Sequence, residues 1–266
     1  MTTHFVSLKG KRPQNEDKHD IIINMDNNDK TKGPINFYAV YDGHGGKFVS
    51  KYLSENYSKF FTDSRIVYPL KKNYVKKVYN YLQNTLKNKY FSKTENTGST
   101  CLSVIHYMHD DMSYLNVCNT GDSRCVMARN NIAIPLTKDH KPNWPEEKYR
   151  IEQLGGDIIF DGFDWRITDL SVSRAFGDIS AEPYVTNMPD VFKYKLTKHD
   201  TFIIIACDGL WDVMSNQDAV NFVIANCYNI KTNERINKHI NIAKKLAEQA
   251  ITNKSGDNIT IIIVFL

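Results

Sequence analysis

The stretch F-Y-A-V-Y-D-G-H-G-G, Phe37 to Gly46, sets a carboxylate and an imidazole directly behind five apolar residues. Phe37 to Tyr41 reads as a buried strand, too short for a helix. The glycines that follow let backbone approach a ligand closely. A strand core gains nothing from an unpaired charge, so Asp42 and His44 are candidates for chemistry rather than packing. The same grammar recurs twice. Thr201 to Ala206 runs into C-D-G-L-W-D-V, which leaves Asp208 at a strand end, and Asp257 stands just before the last apolar run. Three carboxylates gathered at strand edges repel one another unless a cation neutralises them. Hard oxygen donors without thiolate or several histidines suit Mg2+ or Mn2+ rather than zinc. Glu16, Asp122 and Asp212 can add a wider acidic shell. A two-metal carboxylate site activates water and neutralises phosphate charge. Arg12 offers a two-pronged grip on phosphate that Lys cannot copy, and His44 is a candidate acid for the leaving oxygen. The residues by themselves indicate a metal-dependent phosphoesterase, with phosphoprotein, nucleotide and nucleic acid all open as substrates.

The elements that must position these groups can be read in order. Residues 5–8 and 21–23 are short apolar strands, so Arg12, Glu16 and Asp17 fall on the connection between them. After Gly46, apolar residues recur at three- and four-residue steps from Phe48 to Phe60 and again from Val75 to Leu86, which predicts two amphipathic helices separated by a break near Asp63 to Pro69. Their aromatic faces belong to a core. Short strands follow from Leu102 to Leu136, with N-T-G-D-S-R (119–124) expected to form a tight hairpin through Gly121 and Asp122. Pro145, Glu146 and Glu147 predict a helix start, and Gly155-Gly156 its stop. Two more helices are expected over roughly 216–228 and 235–252. Without a repeat, a low-complexity tract or a linker, residues 1–266 read as a single domain.

Composition narrows the class. The chain has 266 residues, 41% of them hydrophobic, which is enough for a sizeable core. A net charge of +4 is scattered rather than blocked, so no nucleic-acid-binding stripe is expected. The five cysteines are odd in number and lack C-x-x-C spacing, which argues against a disulfide framework or a zinc site. No apolar run reaches transmembrane length, and the start lacks a signal peptide or myristoylation site. A cytoplasmic monomer without a membrane anchor is expected, with the nucleus as an alternative compartment.

Eight strings occur in order: K-G-K-R-P-Q-N-E-D-K-H, V-Y-D-G-H-G-G, T-G-S-T, N-T-G-D-S-R, D-H-K-P, S-V-S-R-A-F-G-D, A-C-D-G-L-W-D-V and S-G-D-N-I-T. In these the chain resembles the metal-dependent serine/threonine protein phosphatases of the protein phosphatase 2C type. The resemblance implies an α+β fold, a central sandwich of two antiparallel β-sheets flanked by α-helices on both faces. It implies phosphoprotein substrates, two Mg2+ or Mn2+ ions, and a water between them that attacks phosphorus directly. Asp42 is implied to bridge the ions and the Gly43 carbonyl to join it at one of them. Asp208 and Asp257 are implied to hold the other ion, and Glu16 to act mainly through water. Arg12 would bind the substrate phosphate and His44 would act as general acid. Asp122, Asp208 and Asp212 match the positions of a weaker third metal in some relatives. Asp17 is given a supporting role, while Ser173, Arg174, Asp178, His140 and Pro142 are expected to be structural.

The chain departs from the family pattern at R-I-T-D-L (166–170), one residue shorter than the usual string and without its glycine. That change bears on the substrate flap, placed within residues 140–190. The chain is also expected to be a bare catalytic core, since it ends at its final strand. A catalytically silent module with the same fold should have lost a metal-binding aspartate, and Asp42, Asp208 and Asp257 are all present.

Overall fold

The computed structural model describes residues 1–25, 33–62, 66–229, 232, 234–236 and 239–266. The early strands are β1 (Thr2–Leu8), β2 (Lys18–Met25), β3 (Ile35–Tyr41), β4 (Gly43–His44) and β5 (Gly98–Ser99). A central group follows: β6 (Cys101–His109), β7 (Met112–Thr120), β8 (Arg124–Arg129) and β9 (Ile132–Pro135). The remainder are β10 (Ile158–Phe160), β11 (Trp165–Ile167), β12 (Phe176–Gly177), β13 (Asp190–Lys195), β14 (Asp200–Ala206) and β15 (Ile259–Phe265). The α-helices are α1 (Phe48–Asn56), α2 (Lys72–Thr94), α3 (Pro145–Gln153), α4 (Asp208–Trp211), α5 (Asn216–Cys227) and α6 (Ile242–Thr252).

Two five-stranded antiparallel sheets, ordered β1-β15-β14-β8-β9 and β13-β7-β6-β3-β2, form the sandwich. Alternation along a strand decides which residues face inward. Tyr38 and Val40 of β3 meet Ile203, Ile205 and Ile262 of the opposing sheet between the layers. Their neighbours Phe37, Ala39 and Tyr41 point outward and are covered by α1 and α2 through Val49, Leu53, Tyr79 and Leu82. On the other side, Ile204, Ala206, Ile261 and Ile263 are covered by α5 and α6 through Val220, Val223, Leu246 and Ala250. This double covering is why β3 is an unbroken apolar run with every residue buried. Each such side chain contributes about 1.5–3 kcal/mol by burial. The α+β sandwich with helices on both faces is therefore the fold.

Register explains how the site assembles. Leu8 pairs with Ile259, Ala206 with both Ile261 and Arg124, Lys18 with Tyr41, and Cys101 with Thr120. The ends of β1, β3, β7 and β14 and the starts of β2, β6, β8 and β15 thus share one edge of the sandwich. Every candidate acidic residue lies on that edge or on the loops leaving it.

Two expectations need correction. Residues 119–124 do not make a hairpin: β7 and β8 belong to different sheets, and the segment crosses between them. Asn119 Nδ2 donates to the carbonyls of Gly121 and Lys138, and Thr100 Oγ1 bonds Ser123 Oγ at 2.8 Å, which fixes the crossing. The helix expected over 235–252 begins only at Ile242, where the Asn241 side chain accepts the Lys244 N–H as its cap; residues 237 and 238 lie outside the described residues, as do 63–65 of the expected interhelical break. Strand β13, half-buried or exposed along its length, pairs with β7 at the sheet edge.

Candidate active site

Asp42 follows the last residue of β3, and its backbone N–H donates to Thr100 Oγ1 while its carbonyl accepts from Thr100 N. Asp208 opens α4 directly after β14 and Cys207, and Asp122 sits on the inter-sheet crossing. Carboxylate oxygens of Asp42, Asp122 and Asp208 all lie within 4.8 Å of one another. A second group with the same spacing joins Asp42 to Asp17 and the Cys207 thiol. The first trio opens into a cavity of about 500 Å³, which Arg12, Glu16, Gly43, His44 and Asp257 also line. Asp212 does not line this cavity. It stands near enough to push the Asp208 carboxyl upward, and burial pushes its own pKa up.

The electrostatics are those of a crowded acidic site. Burial, then the charges of Asp208, Asp17, Asp122 and Asp257, hold the Asp42 carboxyl well above the usual carboxylate range. Burial, then Asp122, Asp212 and Asp257, do the same to Asp208. Burial raises Asp17 to about 6, although the Thr260 hydroxyl donates to its Oδ2 at 2.7 Å. The other oxygen, Asp17 Oδ1, is buried without a hydrogen-bond partner. Cys207 offers no competing soft ligand, because burial and the Asp17, Asp42 and Asp208 charges push its thiol far up. Like charges at this spacing, an orphaned carboxylate oxygen and an all-oxygen donor set fit hard divalent cations. Gly43 belongs to the same set. A Cβ there would stand 2.6 Å from the Glu16 carbonyl, so only glycine lets the two loops close.

Arg12 reaches across the β1–β2 connection to Asp257, Nη2 to Oδ2 2.6 Å, with more than half of its side chain exposed. Asn258 anchors that connection: its Oδ1 accepts from Glu16 N at 2.8 Å, and its Nδ2 donates to the Lys9 and Gln14 carbonyls. Together these contacts explain why a loop holds Arg12 and Glu16 at a defined place.

Lys141 was not singled out from the sequence, and Asp178 was expected only to be structural. Lys141 of D-H-K-P places Nζ 2.5 Å from Asp122 Oδ2; burial opposes its charge, but Asp122 outweighs burial and raises its pKa. Asp178 does not line the cavity, in keeping with its expected structural role, yet its Oδ2 lies 2.7 Å from His44 Nε2. Burial pulls the His44 imidazole pKa down, the Asp178 carboxylate pulls it up, and the upward direction prevails. His140 and Arg174 behave as expected: His140 Nδ1 accepts from Gly121 N and Arg174 binds Glu147 and the Met188 carbonyl.

The shortened segment keeps its place at the cavity. Ile167 and Leu170 exchange both backbone hydrogen bonds around a two-residue turn, and Thr168 takes the positive φ of 53°. Arg166, Asp169 and Leu170 consequently line the cavity.

The family model for protein phosphatase 2C matches residues 2–259. The chain belongs to the protein phosphatase 2C family. Its class is that of an enzyme, a protein serine/threonine phosphatase. A probable protein phosphatase 2C of Arabidopsis thaliana is 36% identical over 261 residues, covering 98% of this chain and 65% of that protein. A PP2C-like domain-containing protein of Acanthamoeba polyphaga mimivirus is 47% identical over 167 residues, covering 57% of this chain and 93% of that one. Among solved structures, a serine-threonine phosphatase 2C from Toxoplasma gondii superposes with a TM-score of 0.75 at 25% identity, covering 99% of this chain and 94% of that one. A C. elegans sex determining protein reaches 0.81 at 25% identity, with 99% of this chain and 64% of that chain covered. The chain thus spans about two thirds of the plant relative. Among the described residues, no helix is long and apolar enough to cross a membrane.

Proposed function

We propose that this chain is a Mg2+- or Mn2+-dependent phosphatase that removes phosphate from phosphoserine and phosphothreonine in proteins. The observation that carries the reading is the meeting of Asp42, Asp122 and Asp208 at the floor of a cavity that Arg12 and His44 also line. Asp42, the Gly43 carbonyl, Asp208 and Asp257 would hold two ions, Glu16 would assist, and Asp122 with Asp208 and Asp212 would hold a weaker third. When bound, the ions supply charge neutralisation and an activated water as nucleophile.

The chain's own groups do the rest. Arg12 stands at the cavity rim with an exposed guanidinium, which can leave one oxygen of Asp257 to share a phosphate. His44, whose pKa Asp178 raises, faces the cavity and would deliver a proton to the departing Ser or Thr oxygen. No side chain is required as a covalent nucleophile, and the buried cysteines are unsuited to that role. Phosphoprotein substrates are what the family supports.

The test is phosphate release from a phosphothreonine peptide by purified protein with Mn2+, with Mg2+ and with EDTA, beside a nucleotide. Release from the peptide that requires a metal and exceeds release from the nucleotide is expected. Folded protein inactive on both, under either metal, would replace this reading with a silent module of the same fold.

A further inference from the structure

We propose that Lys141 is a built-in competitor for the cation at Asp122, and that it passes the state of that site to the flap. The inference rests on the metal-dependent phosphatase reading and adds to it a residue shared by two carboxylates. Lys141 is held in place from one side by His140. The His140 backbone N–H donates to the Gly121 carbonyl at 3.0 Å, and its Nδ1 accepts from Gly121 N at 3.1 Å. That double tether joins the residue before Lys141 to the residue before Asp122. The Lys141 ammonium accordingly meets Asp122 Oδ2 at 2.5 Å, with less than a fifth of the side chain exposed.

A second carboxylate faces the same ammonium. Asp164 Oδ2 lies 3.9 Å from Nζ, on the turn of the β10–β11 hairpin. This turn is preorganised: Asp161 Oδ1 accepts from the backbone N–H groups of Phe163 at 2.8 Å and Asp164 at 2.7 Å. Arg166, which lines the catalytic cavity, pairs with the same Asp161. Lys141 therefore links the metal-site carboxylate to the hairpin that forms the cavity wall.

An ammonium and a divalent cation cannot both occupy the Asp122 oxygen. A cation entering there displaces Nζ, and the flexible four-carbon stem lets the ammonium swing to Asp164. The hairpin then gains a full ion pair at its turn. Coupling of this kind is reciprocal, so a hairpin held to Lys141 also favours the cation. A weak affinity at that cation site would then have a specific cause in this chain.

The experiment is Mn2+ binding by isothermal calorimetry and by the EPR signal of free Mn2+, on wild type, K141M, D164N and the double variant. K141M is expected to tighten the weakest Mn2+ site by about tenfold and to leave the tighter sites unchanged. K141R, which keeps the charge, is expected to bind as wild type does. D164N is expected to weaken that site several-fold in the wild-type background and not at all beside K141M. If Asp164 acted only through its field, D164N would weaken the site equally in both backgrounds, and that result would overturn the switch. Hydrogen exchange of amides 158–167 supplies the second readout. Filling the weak site should slow it in wild type, but not in K141M or D164N. An unchanged weakest-site affinity in K141M, with two tighter ions still bound, overturns the inference and spares the phosphatase reading. Absence of any Mn2+ binding by folded wild type overturns both.

Discussion

His44 Nε2 and Asp178 Oδ2 lie 2.7 Å apart although 134 positions separate them in the chain. Gly98 makes the approach possible, since a Cβ there would stand 2.0 Å from that oxygen and 2.4 Å from Nε2. The pair raises the pKa of the His44 imidazole at the cavity wall, with burial opposing it and Asp178 prevailing.

Asp178→Asn keeps the shape and removes the charge, leaving burial to lower the His44 pKa. The alkaline limb of the kcat–pH profile should then move to lower pH. Turnover of alkyl phosphates should fall about tenfold or more, and that of p-nitrophenyl phosphate less, because its leaving group needs little protonation. A pH profile identical to wild type would limit Asp178 to a structural role.

Asp208→Asn should separate activity from stability. Asp208 is buried among like charges, and its folded pKa is raised. A group shifted this way destabilises the metal-free fold at pH above its unfolded value. In EDTA the variant should gain about 1 kcal/mol, raising Tm by about 2–4 °C for a domain of this size. With Mn2+ the order should reverse, because wild type gains metal binding and the variant gains little. Thermal melts of both proteins with and without Mn2+ check this, and a lower Tm for the variant in EDTA would contradict the charge-repulsion account.

The turn that replaces the family's glycine stores backbone strain. Thr168 is β-branched and takes φ of 53°, a conformation that costs an L-residue about 1–2 kcal/mol. Thr168→Gly should raise stability by about 1 kcal/mol, less the entropy glycine adds to the unfolded chain. Urea unfolding measures the gain. A loss instead would mean that the Thr168 hydroxyl, which bonds the Ile167 carbonyl at 2.5 Å, outweighs the strain.

Local pattern revealed the parts of the site that sit on strand ends. Asp42 and Asp208 follow apolar runs that only a buried strand explains, and Asp257 precedes one, so their types and surroundings were readable together. The crossing at 119–124 was not readable as such, because Asn, Gly and Asp favour a turn whether the next strand pairs with its neighbour or joins another sheet. Strand β8 pairs with β14, 82 residues away by the Arg124–Ala206 register, and nothing near Gly121 encodes that. Likewise β2 is longer than its apolar run because Lys18, His19 and Asp20 pair with Tyr41, Val40 and Ala39. The roles of Lys141 and Asp178 depend on what stands opposite them. Each lies in a readable motif, but its partner is fixed only by tertiary packing.

Glu147 provides the clearest pH test, well away from the metal site. It opens α3 and accepts from Arg174 Nη2 at 2.5 Å and from Arg150 Nη2 at 2.9 Å. Those arginines also bind the Ser173, Tyr184 and Met188 carbonyls at the base of the flap. Burial would raise the Glu147 pKa, but the Arg174 hydrogen bond and charge, then Arg150, lower it from 4.5 to about 2. A depressed folded pKa contributes stability that is fully present above the unfolded value and is lost as pH falls through the folded one. Glu147→Gln should therefore cost about 3 kcal/mol near neutral pH, where it leaves two half-buried guanidinium groups undercompensated. The gap between wild type and variant should hold down to about pH 5 and shrink by about half or more near pH 3, as the unfolded wild type takes up its proton. Urea midpoints across that range measure it. A gap that stayed constant to the acid end would assign the loss to packing around α3 rather than to the charge of Glu147.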